Sequence, residues 1–180
     1  MNKDLTEAQK DYAHFLPALS GFYATYVGKQ RHPDPDTGEL YVPDDRIPSN
    51  FQNNVESLNY LNLQEGQFQY KWTLYSAGHA ELDTTKFSPK EDMVRNRDRD
   101  NTWLLGDSGG FQIGKGVWEG DWKDPNCPKA QKKRDGVLRW MDAYMDYGMI
   151  LDIPAWVARS PAGAKATGIS TYQEAVVATR

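Results

Sequence analysis

The chain has 180 residues, of which 39% are apolar and 26% charged, with a net charge of −4. That balance belongs to a globular protein long enough for a real core. It excludes a global basic field advertising nucleic acid, and no window approaches the roughly 18 consecutive apolar residues of a membrane span. Cys127 is the one cysteine, which excludes an internal disulfide or a cysteine-rich zinc site within these residues and suits a reducing, cytoplasmic setting.

The opening "MNKDLTEAQKDYAHF" is polar and charged, unlike a secretory signal. Residues 31–49 are rich in proline and carry a turn signal at Asp36-Thr37-Gly38, so they read as a loop or small hairpin inserted in a single domain over 1–180. Phe51, Val55, Leu58 and Leu61 then recur at helical spacing and predict a helix over 47–61. "FQYKWTLYSAG" reads as an aromatic-rich strand closed by Gly78. Residues 83–101 are highly charged and predict a loop or short helix. "TWLLGDSGG" is the next strand and turn, and 113–128, with its Gly, Trp and Pro, reads as a long loop.

A helix is expected from about Lys129 to Tyr147, with Val137, Leu138, Met141, Tyr144 and Met145 as its apolar stripe. Gly148 stands where a C-capping glycine belongs. The basic residues Lys129, Lys132, Lys133, Arg134 and Arg139 cluster on this segment and read as a solvated face or a local nucleic-acid patch. "MILDIPAW" is a continuous apolar run, the pattern of a strand buried on both faces. In "STYQEAVVATR", Thr171 and Glu174 have capping-box spacing and start a last helix.

Alternating strands and helices imply parallel strands with crossover helices. Ser76 and Asp107 lie 31 residues apart, the roughly 31 residues per unit of an eight-unit barrel of about 250 residues. Because 180 residues fall short of the roughly 200 such a barrel needs, the expected fold is α/β, a partial (β/α)8 TIM-type barrel with parallel strands.

"LLGDSGGFQIGKG" at 104–116 admits three readings. As a serine-protease motif it makes Ser108 a nucleophile, but the candidate bases His14, His32 and His79 lack the expected context, and Phe111 stands where proline is expected. As a phosphate loop it uses Gly109, Gly114 and Lys115, but the next residue is Gly116 rather than a magnesium-binding Ser or Thr. Gly114, Gly116 and Gly120 are likewise too widely spaced for a dinucleotide fingerprint. The third reading starts from Asp107 at the C-terminal end of one strand and Asp152 at the end of another, where catalytic groups of parallel α/β folds collect. Gly109 and Gly110 let backbone approach a ligand. Phe111 offers a stacking face and Gln112 an amide. A carboxylate, an amide and an aromatic ring form an inventory for gripping a purine-like base. Against this, Asp-Ser-Gly-Gly also makes a plain turn, and Asp152 before Ile153-Pro154 also caps a loop.

These residues resemble the tRNA-guanine transglycosylases, the queuine and archaeosine tRNA-ribosyltransferases. "DSGGFQ", Asp107 to Gln112, looks like that family's hallmark after a barrel strand, and "DYGMILDIPAW", 146–156, is similar to its later segment. The resemblance covers residues 70–180, is closer to phage-encoded relatives than to housekeeping bacterial enzymes, and extends faintly to "FLPALSGF" as an early barrel segment.

The resemblance implies exchange of guanine for a 7-deazaguanine in tRNA, or in DNA for related enzymes. Asp107 then acts as acid/base beside base and ribose, Phe111 stacks, Asp152 reads the N–H edge, and Ser108, Gly109, Gly110 and Gln112 line the pocket. A leaving purine needs protonation or hydrogen-bond support, and a carboxylate nucleophile splits the displacement into two easier steps. The family's nucleophilic aspartate and its zinc site of three cysteines and a histidine lie later in its barrel. No cofactor, no metal and no complete turnover are therefore expected of these residues. The implied partners are nucleic acid and a purine or 7-deazaguanine base, not a membrane, with homo- or hetero-oligomers open. Two rivals remain: a non-catalytic base-binding or partner subunit, and a hydrolase using Asp107 and Asp152 as a carboxylate pair on a sugar bond.

Overall fold

The computed structural model describes residues 13–31, 36–37, 49, 58–64 and 68–179. The expected loop or hairpin at 31–49 and most of the expected helix at 47–61 lie outside them. The protein is α/β with a four-strand parallel sheet. Its strands are β1 (Ala18–Leu19), β2 (Trp72–Ser76), β3 (Trp103–Asp107) and β4 (Tyr147–Gly148), in that spatial order. The chain forms two compact units, 1–75 with 85–105, and 76–84 with 106–180.

In the first unit, β1 pairs in parallel with β2, Ala18 opposite Leu74 and Leu19 opposite Tyr75. β2 and β3 alternate in burial, so Thr73, Tyr75 and Leu104 turn inward, as the period-2 pattern demands. The ring of His14 stacks on Trp72 at 4.1 Å and Trp72 on Trp103 at 5.2 Å. Helix α1 (Gly21–Arg31) buries Ala24 and Val27. The charged stretch expected as loop or short helix becomes a 3-10 turn at Pro89–Glu91 and the one-turn helix α2 (Asp92–Arg95). Ser88 caps the turn by accepting from the Lys90 amide, and Pro89 follows at the first turn position, where its missing N–H costs nothing. The buried Tyr75 hydroxyl donates to the Lys90 carbonyl at 2.9 Å, and burial pushes its pKa up.

The second unit carries helix α3 (Gly110–Gly114), helix α4 (Pro128–Tyr144), a 3-10 turn at Ala155–Arg159, and helices α5 (Pro161–Thr167) and α6 (Tyr172–Thr179). Its core gathers Ile113, Trp118, Trp122, Val137, Trp140, Ile153, Val157 and Ile169. Fully burying an aromatic of 150–250 Å² contributes roughly 4–6 kcal/mol of gross transfer energy, so Trp122 and Trp140 dominate this core.

Helix α4 lies where the periodicity places it, but its buried face runs through Ala130, Val137, Trp140 and Tyr144 while Leu138 is exposed. Successive residues turn 100° about a helix, so Leu138 falls off the stripe set by Val137 and Trp140. The helix also ends at Tyr144, capped at Met145, and Gly148 belongs to β4 rather than to a C-cap.

The expected buried strand "MILDIPAW" is corrected. The Met149 amide donates to the Gly106 carbonyl at 2.9 Å, and there the ladder stops. Ile150 is 75% exposed. The Ile153 amide turns away to Thr179 Oγ1 at 2.9 Å, and Pro154 has no amide to offer. A short apolar run does not distinguish a strand from a loop that buries only some of its residues. Asp152 therefore sits on a loop beyond β4, not at a strand end.

The last helix begins as its capping box predicts. The Glu174 amide donates to Thr171 Oγ1 at 3.2 Å, and Glu174 Oε2 accepts from the Ser170 and Thr171 amides at 2.8 and 3.2 Å.

Candidate functional site

The site assembles within the second unit. β3 delivers Asp107 to its C-terminal end, half-buried, as expected. The chain then turns through Gly109, whose φ of 76° is the left-handed region that glycine occupies without penalty. It enters α3 at once. Phe111 and Gln112 thus stand on a short helix where the sequence reads only as a turn.

Asp107 and Asp152 are each held by a serine. Ser76, at the end of β2, donates to Asp107 Oδ2 at 2.5 Å. The same hydroxyl accepts from the Gly78 amide at 3.2 Å, which leaves its proton for the carboxylate. Ser108 is fully buried, and its hydroxyl donates to Asp152 Oδ1 at 2.9 Å. A hydroxyl carries one donor, and each carboxylate oxygen has two acceptor sites, so both acids keep capacity for a ligand. Hydrogen bonds to charged groups contribute about 1.5–3 kcal/mol each.

Gly110 brings the second acid in. A β-carbon at this position would overlap the Asp152 carbonyl oxygen and lie 2.6 Å from its Oδ1. Only glycine lets the Asp152 loop pack against the first turn of α3. The arrangement packs Ser108, Gly110 and Asp152 together, with Asp152 arriving from a loop, while Asp107, next to Ser108 in the chain, holds to Ser76.

Gln112 splits its roles. Its carbonyl accepts from the Val117 and Trp118 amides at 3.0 and 3.2 Å, which starts the 115–127 loop. Its side chain lies against Gly78, where a β-carbon would come within 2.8 Å of Gln112 Cγ.

Phe111 is 58% exposed. Its ring meets that of Trp156 at 6.1 Å between centroids, inclined 59°. Lys115 Nζ lies 5.4 Å from the Phe111 centroid and 5.9 Å from that of Trp156. Exposed cation–π contacts of this kind contribute about 0.5–1 kcal/mol.

The protease and phosphate-loop readings lose their geometry. The Ser108 hydroxyl is buried and committed to a carboxylate, so it is not a nucleophile paired with histidine. Residues 110–114 form a helix and the Lys115 ammonium rests on aromatic faces, unlike a phosphate-cradling loop.

Of the five basic residues on α4, three make contacts to the preceding loop, while Lys132 and Arg139 are exposed. Lys129 pairs with Glu119 at 3.0 Å, which lowers the pKa of that glutamate and raises that of the lysine. Lys133 Nζ lies 5.0 Å from the Trp118 ring centroid. Arg134 covers Trp122 at 5.2 Å and donates to its carbonyl at 3.3 Å. These contacts fasten the 115–127 loop to α4. Trp122 adds two more ties, its indole N–H donating to the Trp118 carbonyl and its amide to the Thr167 carbonyl.

Ser76 and Trp156 are site residues that the sequence reading did not assign, and Lys115, read there only as a phosphate-loop lysine, joins them. Ser76 had a signal in its 31-residue spacing from Asp107. Trp156 had none, since only the turn at 155–159 swings it to Phe111.

Among the described residues, no group of three or more His, Cys, Asp and Glu side chains is placed to hold a metal ion, and no helix is long and apolar enough to cross a membrane. No protein-family model matches the chain, and no match was found among the curated proteins or the solved structures compared with it.

Proposed function

We propose that this chain forms the base-binding half of a transglycosylase that exchanges guanine for a 7-deazaguanine in tRNA or DNA, on a fold of partial (β/α)8 type. The observation that carries the reading is the pair of serine-held carboxylates, Asp107 on Ser76 and Asp152 on Ser108, with Asp152 packed against Gly110 just before an exposed Phe111.

In this reading Asp152 accepts from the ring N–H and exocyclic amine of the base while Ser108 fixes the carboxylate's rotation. Phe111 stacks on the base. Asp107, aimed by Ser76, acts as the acid/base beside base and ribose: as the carboxylic acid it passes a proton or hydrogen bond to the purine as its bond to ribose breaks, and is left as the carboxylate. Ser108, Gly109, Gly110 and Gln112 shape the turn beneath. The covalent step of the resembled family uses a further aspartate that the reading does not assign among these residues.

Equilibrium binding of guanine and of a 7-deazaguanine to the chain tests the proposal. Asp152→Ala is expected to weaken binding about 10- to 150-fold, the worth of hydrogen bonds to a charged partner. Base affinity unchanged in both Asp107→Ala and Asp152→Ala overturns it. Exchange of labelled guanine into nucleic acid separates the enzyme from a base-binding subunit.

A further inference from the structure

We infer that Phe111, Trp156 and Lys115 form a platform for two consecutive nucleotides of a single-stranded nucleic acid, so that the site takes its base from a polymer. The inference rests on the base-binding reading of Phe111 and adds a neighbouring subsite to it.

Three observations point there. First, the Phe111 and Trp156 rings are inclined 59° with centroids 6.1 Å apart. One flat base cannot lie on both, whereas two successive bases splayed apart can each take one. Second, Lys115 Nζ lies within 6 Å of both centroids, at 5.4 and 5.9 Å. That cation covers the faces two bases would take, and its flexible four-carbon stem lets it swing from them onto the phosphate linking two such nucleotides. Third, Trp156 is placed by construction. A β-carbon at Gly114 would lie 2.6 Å from its Cη2, so the indole packs against the bare backbone of α3 and is held beside Phe111. It nonetheless stays 39% exposed.

In the free protein the ammonium covers the two rings. An exposed cation–π contact is weaker than a base–aromatic stack. Binding therefore exchanges the lysine for bases on the rings and for phosphate on the lysine, with net gain. Stacking of this kind is tolerant of sequence, because every base has a π-face.

The test uses the whole chain and fluorescently labelled single-stranded ten-mers of one sequence, as RNA and as DNA, with free 7-deazaguanine in parallel. Trp156→Ala is expected to weaken oligonucleotide binding about 5- to 140-fold and to leave free-base affinity unchanged. Trp156→Phe keeps most of the affinity. Lys115→Ala flattens the dependence of log K on log salt concentration by about 0.7. The RNA and DNA arms identify which polymer the platform prefers. Oligonucleotide affinity equal in wild type and Trp156→Ala overturns the inference, as does a parallel loss of free-base affinity, which marks Trp156 as merely structural. If oligonucleotides bind through Trp156 while free base does not bind at all, the platform stands and the base-exchange reading falls.

Discussion

The Ser108 hydroxyl donates to Asp152 Oδ1 at 2.9 Å, joining residues 44 positions apart. The donor is fully buried and the acceptor lies on an exposed loop. A buried anchor for an exposed acid restricts the carboxylate's rotamers before any ligand arrives, so less entropy is lost on binding.

Ser108→Ala removes that anchor without adding bulk. Base affinity is expected to fall about tenfold, less than for Asp152→Ala, because the carboxylate survives but turns freely. Titration calorimetry with a 7-deazaguanine measures the loss, and an unchanged dissociation constant contradicts the positioning role.

Gly110→Ala tests the close approach. The new methyl overlaps the Asp152 carbonyl oxygen, and overpacking of this kind costs about 1–3 kcal/mol. Thermal unfolding should show a lower Tm, and base binding should fall together with it. A variant as stable as wild type means the Asp152 loop does not rest on α3.

Ser76→Ala leaves Asp107 Oδ2 without its 2.5 Å donor. Base affinity, read by the same calorimetry, is expected to fall about tenfold, because the carboxylate survives but loses its fixed rotamer. Ser76→Thr restores most of it. Equal damage by alanine and threonine points to packing rather than to the hydroxyl.

Glu174 governs an acid limb of stability. Its carboxyl is held down to about 2, chiefly by the Ser170 amide and then by Lys123, which sits 3.0 Å away. A carboxyl with a lower pKa in the folded state stabilises above its unfolded value, near 4.5. That contribution is lost as pH falls from about 4.5 towards 2. Glu174→Gln should lack this limb, so unfolding curves of variant and wild type should converge as pH drops through the window. Curves that stay parallel refute the linkage.

The sequence carried much of this fold, and its failures have physical causes. β2, β3, α4 and α6 were legible because each announces itself locally: alternation in Trp72–Ser76, a ladder-ready run before Asp107, helical periodicity after Pro128, and a capping box at Thr171. The segment after β4 was not, because its fate depends on partners remote in sequence. Met149 reaches Gly106 and Ile153 reaches Thr179, and no local pattern records either. α5 did carry an unread signal, Ser160 capping the Gly163 amide with Pro161 next to it. At the site, Asp107 followed from its strand, and the pairing of Ser108 with Asp152 emerged only from the fold.

The segment 115–127 has no regular structure, yet Trp118 and Trp122 nail it in place, and the Trp118 ring comes within 2.8 Å of where a Gly109 β-carbon would stand. It behaves as a buttress behind the glycine turn rather than as slack between two helices. Trimming it, or shrinking either tryptophan, would let the turn sag and unseat the acids without touching either one. This loop thus works as a structural part of the site, and shortening it costs the turn its support.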